Sequence, residues 1–208
     1  MGFMMNVVQP NFILPKLHKD ARFISFENTY FINKVYSEII GLEDVSHFSI
    51  NVVNNKTDEM SVISCNPSII YNLCNDGLYK FNGSISPSFY KFRDIYTWDE
   101  AYDPRYSSRL KNTMERRNGI EQGVVLIKRM ISHTLLYSFA TKKNSSDLLE
   151  RIKDDRRKFY SIGDHCFDQI SCVYQHYNPE NFIAAPARKK VEVRNKSNVI
   201  DLSNYEKK

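Results

Sequence analysis

Glycine is scarce in this chain, 7 among 208 residues. None of the seven clusters, so there is no backbone cradle for a phosphate and no Walker or dinucleotide loop. Cysteine is scarcer still. Cys65, Cys74, Cys166 and Cys172 show no paired metal-knuckle spacing and no disulfide-dense stretch, which points to free thiols in a reducing, cytoplasmic setting. No apolar run approaches the ~20 residues of a membrane-spanning helix. The opening MGFMMNVVQPNFILP lacks a basic leader and is broken by Pro10 and Pro15, a poor signal peptide. Gly2 heads no myristoylation motif, because Asn6 stands where Ser or Thr is needed. Nucleophile elbow and HExxH pair are missing too, and with them the usual marks of hydrolase and zinc-protease chemistry. The expectation is a protein with neither catalysis nor cofactor.

What is present is the composition of a soluble globular protein, 42% hydrophobic and 25% charged. A net charge of +5 suggests nucleic acid until its distribution is followed. Residues 186–208 hold seven Lys and Arg against three Asp and Glu, so +4 of the +5 lies there and residues 1–185 carry only +1. A broad phosphate-binding face is not indicated, and no specific DNA binding is expected.

The chain divides into an N-terminal arm (1–24), a single domain (25–180) and a basic polar tail (181–208). In the domain, a helical pattern starting at Ser25 carries Phe31, Val35 and Ile39 and closes at Gly41. His47–Val53 and Met60–Ser64 alternate as a hairpin across NNKTD. Asn66-Pro67 opens a helix, with Pro at its first position and Asn as its cap, that ends at Asp76-Gly77. From Tyr79 to Trp98 the pattern reads as a loop rich in Ser, Pro and aromatics. Arg105–Asn118 reads as a charged helix, and Val124–Ile127 and Leu135–Ala140 as strands. Ser145-Ser146-Asp147 caps a helix with Leu148, Leu149 and Ile152 inside. A second helix carries Phe167, Ile170, Val173, Tyr174 and Tyr177, and Gly163 is placed to kink or divide the pair.

Candidate chemistries are few. Cys172 and His176 lie at i, i+4, a spacing that puts two ligands on one metal, but two ligands do not make a site. His165 is too far along the helix to join them. Asp99-Glu100 reads as a helix-start pair and Arg116-Arg117 as a solvated face. The rings between Tyr79 and Trp98 serve either as core or as the wall of a pocket, with Tyr79, Phe89, Tyr96 and Trp98 the candidates. In the tail, Arg188, Lys189 and Lys190 with Val191, Val193, Val199, Ile200 and Leu202 form an extended segment with spaced aliphatics, suited to docking on a partner's sheet or groove.

The order of HFSINVV, EMSVIS, the Asn-Pro helix start, Trp98-Asp99-Glu100-Ala101, a charged helix, NGIEQGVVLIKR and LLYSFATK resembles the autoinducer-binding domain of LuxR-type quorum-sensing regulators. It spans about residues 30–142, with a final packing helix near 156–176. The resemblance implies an α/β (α+β) fold, an α-β-α sandwich around a central antiparallel sheet of about five strands, PAS/GAF-like. In that family the ligand sits between the sheet and one helical layer, held by Tyr-Pro-x-x-Trp, a following Asp and a later Trp. Here Pro67 matches the Pro, Asn66 and Ile70 stand for the Tyr and Trp, and no Asp occurs near Gly83–Ser86. Trp98 matches the later Trp, and Gly119 and Gly123 resemble the glycines before the next strand. Ile70 therefore joins the pocket candidates.

The family's helix-turn-helix output domain has no counterpart before Lys208. The leading expectation is a non-catalytic adaptor or regulatory protein that works through protein partners, as in a bacterial secretion or signalling assembly. The alternative is a sensor that binds a small apolar ligand and dimerises.

Overall fold

The computed structural model describes residues 12–142 and 147–178. Its strands are β1 (Lys16–Leu17), β2 (His47–Asn54), β3 (Glu59–Ser64), β4 (Ile95–Thr97), β5 (Gln122–Arg129) and β6 (His133–Thr141). Its helices are α1 (Ile24–Glu27), α2 (Thr29–Tyr36), α3 (Pro67–Asn75), α4 (Pro87–Tyr90), α5 (Ser107–Met114), α6 (Leu148–Asp154) and α7 (Arg156–Tyr177). The strands form one sheet in the order β1-β3-β2-β6-β5-β4. Every neighbouring pair is antiparallel except β1, which runs parallel to β3. The expected α-β-α sandwich is observed, its sheet six-stranded and antiparallel but for the short parallel edge β1. The two unforeseen strands, β1 and β4, are edges of two and three residues, too short to show an alternation.

The long strands follow from their sequence. In β2 the apolar Phe48, Ile50 and Val52 alternate with His47, Ser49 and Asn51, and successive side chains point to opposite faces. The β2–β3 turn is held by Asn54, whose Oδ1 accepts from the amides of Lys56 at 2.7 Å and Thr57 at 3.1 Å. One sheet face presents Phe48, Ile50, Val124, Leu126, Tyr137 and Phe139 to α2, α6 and α7. Helix α2 meets it with Ile32, Val35 and Tyr36, and Ile39 follows just beyond. Phe31, expected on that stripe, is exposed, because the buried face is centred one position later. Gly163 does not break a helix. It lies inside the continuous α7, where a Cβ would come within 2.4 Å of the Tyr137 ring, so its lack of a side chain admits that ring.

The opposite face, with Met60, Val62, Val125, Ile127, Leu136 and Ala140, is covered by α3, α4 and α5. Pro67 starts α3 as expected, but Asn66 does not cap it. The Asn66 amide donates instead to Asn118 Oδ1 at 2.8 Å, tying the helix start to the turn that ends at Gly119. Gly77 and Gly119 take positive φ, 65° and 62°, where the chain reverses and other residues are strained. The expected charged helix is shorter, running as α5 to Met114 before a 3-10 turn at Arg116–Asn118. The stretch read as an aromatic loop holds two 3-10 turns, α4 and β4. Asp147 precedes α6 without a side-chain cap bond and pairs with Arg151 at 2.9 Å, while Ser145 and Ser146 lie outside the described residues.

The arm reaches both layers. Leu17 pairs with Met60 on β3, and Ile13 is bonded at both backbone ends to the α4 region, its N–H to Ser88 Oγ at 3.0 Å and its carbonyl by Ser86 Oγ at 2.7 Å. Among the described residues no helix is long and apolar enough to cross a membrane.

Candidate ligand-binding site

The sheet face under α3–α5 is not wholly apolar. Ser64, Ser49 and Ser138 stand directly opposite one another on β3, β2 and β6, a transverse row of three hydroxyls across the middle of the sheet. Along β2, two residues on either side of Ser49, lie Asn51 and His47 on the same face. All five side chains are buried, between 4% and 8% exposed, so this polar stripe faces the protein and not solvent.

Above it lies a cavity of about 40 Å³ lined by these five and by Asn82, Ser84 and Trp98. Ile69, Ile70 and Leu73 from α3, with Ile85, Met114, Val62 and Val125, form its apolar wall. No Asp, Glu, Lys or Arg lines it. At roughly 10–15 Å³ for each water centre, it has room for a few waters and for nothing larger without movement of the wall.

Trp98 closes one end. Its ring lies on Gly123, where a Cβ would fall 2.1 Å from the indole, and its Nε1 donates to Ser138 Oγ at 2.8 Å. The His47 ring meets the indole edge-on, with centroids 5.9 Å apart. His47 Nδ1 also lies 3.4 Å from Cys65 Sγ. Burial drives the His47 pKa down to about 4, helped by the charge of Lys142, and burial pushes the Cys65 thiol up. Both groups are therefore neutral at pH 7, the opposite of the thiolate–imidazolium pair that a nucleophilic cysteine requires.

The hydrogen bonding of the stripe is incomplete. Ser64 Oγ donates to the Asn66 carbonyl at 3.1 Å, and Asn82 Oδ1 accepts from the Ser84 amide and hydroxyl. Asn51 Oδ1, in contrast, is fully buried with no partner. Among the described residues nothing bonds its Nδ2 or the Ser49 hydroxyl either. A fully buried polar atom left unmatched costs about 1–3 kcal/mol, so Asn51 Oδ1 calls for a partner from within the cavity.

Of the residues singled out in the sequence, Trp98 and Ile70 line this cavity. Tyr79, Phe89 and Tyr96 do not. Tyr96 sits beneath the wall with its hydroxyl donating to the Ser84 carbonyl at 2.9 Å, Phe89 packs edge-on against Tyr96, and Tyr79 is half-buried beside Lys80. Phe89 and Tyr96 support the lining, since each ring is taken up by the other. Cys172 is exposed, and among the described residues no three metal-ligating side chains converge. Arg188, Lys189, Lys190, Val191, Val193, Ile200 and Leu202 lie outside the described residues. Sequence reasoning missed His47, Ser49, Asn51, Ser64 and Ser138. Their signal was the polar half of the β2 alternation, which reads equally well as a solvent face.

No family model matches this chain, and no curated protein sequence does. Solved structures do. The crystal structure of Escherichia coli SdiA in space group P6522 aligns over 82% of this chain and 73% of its own, at 12% identity and a TM-score of 0.48. SdiA in complex with octanoyl-rac-glycerol aligns over 74% of this chain and 63% of its own, at 12% identity and a TM-score of 0.50. SdiA is a LuxR-type regulator, and this chain has the autoinducer-binding-like fold of its sensor domain.

Proposed function

We propose that this protein is a small-molecule sensor whose ligand lodges between the sheet and the α3–α5 layer, in contact with Trp98. The observation that carries the reading is the buried polar stripe. A cavity whose floor offers an Asn amide and a Ser hydroxyl with no protein partner is built for something that supplies the missing bonds. The fold supports the same reading, because a structure of that fold holds octanoyl-rac-glycerol in its own protein. The cavity wall supports it too. Ile70 and Leu73 come from the short α3, and Met114 is an unbranched side chain that yields readily to a guest. This is the second of the two roles the sequence suggested. The adaptor role, the first of the two, draws no support from the fold neighbours.

The experiment uses the full chain. Trp98 is its one tryptophan, so its emission reports directly on the cavity. Protein purified from its native host is extracted for small molecules, and the compounds recovered are titrated back onto ligand-stripped protein while emission and sedimentation are followed. A recovered compound that shifts Trp98 emission saturably, with one site per chain, supports the proposal, and a change in sedimentation on binding adds dimerisation to it. Extracts from which nothing rebinds would refute it.

A further inference from the structure

We infer that a second, separate binding site lies in the cleft between the end of α4 and the tips of the β2–β3 and β5–β6 hairpins, and that it takes a molecule bearing a phosphate monoester on Tyr90, Lys91 and Arg129. It shares no residue with the Trp98 cavity and does not rest on the sensor role. Gly123, under the Trp98 ring, and Arg129 are six residues apart on β5, roughly 20 Å at the usual strand rise. The two sites therefore stand at opposite ends of one strand.

The cleft has the size of a ligand site. Its volume is about 310 Å³ against about 40 Å³ for the cavity at Trp98, which brings it into the usual range of small-molecule pockets. Asn55 and Asp58 line it from the β2–β3 turn, Tyr90 and Lys91 from the end of α4, and Arg129, Met130 and Thr134 from the β5–β6 hairpin. Some of these only build the frame. The Asn55 amide donates to the Met130 and Ile131 carbonyls while its Oδ1 accepts from the Thr134 hydroxyl, which ties the two hairpin tips together.

What the frame leaves over is donors. Tyr90 is 3% exposed, and its hydroxyl is fully buried without a partner. Burial and the nearby Asp58 carboxylate push its pKa up to about 12, so it keeps its proton at pH 7. The Lys91 ammonium has three N–H groups and one carboxylate partner, Asp58 at 2.8 Å. The Arg129 guanidinium has five N–H groups, and its bonds go to Asp94 and to the Tyr90 and Arg93 carbonyls. Both ion pairs lie at the surface, where such a pair is worth only ~0–1 kcal/mol, so neither holds its cation against a better-placed anion. An ammonium entering the cleft would meet Lys91 and Arg129 as like charges, and a neutral group would meet the three donors without the gain of opposite charge. A phosphate accepts on every side and meets all three in charge-assisted bonds, roughly twice as strong as neutral ones. Next along the chain from Lys91 and Met130 stand Phe92 and Ile131, both exposed, apolar side chains that suit a lipid as carrier of the phosphate beside a soluble one.

The test uses the full chain at pH 7 and follows binding by titration calorimetry, with glycerol 3-phosphate as the probe and glycerol and ethanolamine as neutral and cationic controls. A lipid source is tested by co-sedimentation with phosphatidylcholine vesicles that contain or lack phosphatidic acid. Wild type is compared with Tyr90→Phe, which removes one oxygen, and with Lys91→Gln, which removes a surface charge. The expected result is saturable binding of one glycerol 3-phosphate per chain, or sedimentation with the phosphatidic acid vesicles alone, the first assigning a soluble carrier and the second a lipid. Glycerol and ethanolamine should bind at least tenfold more weakly. Each variant should weaken phosphate binding about tenfold or more, the size of one lost charge-assisted hydrogen bond. Tyr90→Phe should meanwhile keep or raise the thermal midpoint without ligand, because it deletes a hydroxyl that has no partner in the empty cleft, whereas a general loosening would lower it. If Tyr90→Phe folds poorly, Lys91→Gln alone carries the readout. Binding of neither phosphate carrier by wild type would overturn the site, as would binding of glycerol or ethanolamine as tight as that of the phosphate, or undiminished binding by a variant that folds.

Discussion

Replacing Gly123 by Ala adds one methyl group, and the structure says where it goes. The Cβ would lie 2.1, 2.4 and 2.5 Å from three atoms of the Trp98 ring, closer than carbon atoms approach. Gly123 does not have a positive φ, so Ala fits its backbone, and on conformational entropy alone the change in a strand should stabilise by about 0.5–1 kcal/mol. The ring cannot absorb the methyl cheaply. It is rigid, 2% exposed, and fixed by the Ser138 bond on one side and the His47 ring on the other. Overpacking of this kind costs about 1–3 kcal/mol, and loss of the Trp98–Ser138 bond about 1 kcal/mol more. The net expectation is a destabilisation of about 1–3 kcal/mol, or roughly 2–12 °C in Tm for a chain of this size. Urea unfolding followed by circular dichroism measures it, and Trp98 emission in the folded variant should move as the indole leaves its seat. Combining Gly123→Ala with Trp98→Leu tests the cause, because the two changes should couple by at least ~1 kcal/mol if the ring is what the methyl strikes. A variant as stable as wild type, or more so, would refute the packing of Trp98 on β5 and with it the end wall of the cavity.

Trp98→Ala should itself cost about 3–5 kcal/mol in urea, the range for emptying a large buried side chain, and should abolish the cavity's fluorescence response. An unchanged midpoint would contradict its burial. Gly163→Ala ought to destabilise despite the better helix propensity of Ala, because its Cβ would lie 2.4 Å from Tyr137, and a gain in Tm would show that the α7–sheet contact is looser than described. For His47, burial lowers the folded pKa to about 4 from a usual value near 6.5, so the unfolded chain takes up the proton first as pH falls. Its contribution is therefore fully present above pH ~6.5 and lost between there and pH ~4, to the extent of about 3 kcal/mol. His47→Gln should flatten that part of the stability–pH curve, and an equally steep curve in the variant would assign the acid sensitivity elsewhere.

How much of this was legible in the sequence depended on length and on contrast. β2 and β3 announced themselves as an alternating pair across a polar turn, β5 and β6 through the apolar stretches Val124–Ile127 and Leu135–Ala140, and α3 through Asn66-Pro67 and Gly77. β1 and β4 are held in place by their neighbours and carry no pattern of their own. The candidate site was harder, for a physical reason. A strand with one polar face is normally a strand wetted on that side, and HFSINVV offers nothing to distinguish a wetted face from one roofed by α3–α5. Only the tertiary structure shows that Ser49 and Asn51 are covered. Ile70 was found by family resemblance and Trp98 both that way and as a ring, while Tyr96 and Phe89 were found as rings and do not line the cavity, because aromatic content says nothing about which ring another ring has already engaged.

The arm's two attachments have a kinetic consequence. Leu17 on β3 and Ile13 on the α4 region span the gap between the sheet edge and the roof, held by a two-residue ladder, the His18 N–H on the Met60 carbonyl, two bonds to serine hydroxyls and the Phe12 ring against Phe89. So small a set of contacts opens by local unfolding far more often than the domain unfolds. If guests too large for the resting cavity pass beneath it, the arm sets how fast they arrive and leave without touching how tightly they are held at equilibrium. Replacing Ser88, whose hydroxyl accepts from the Ile13 N–H, by Ala would then raise the on-rate and the off-rate together and leave Kd where it was.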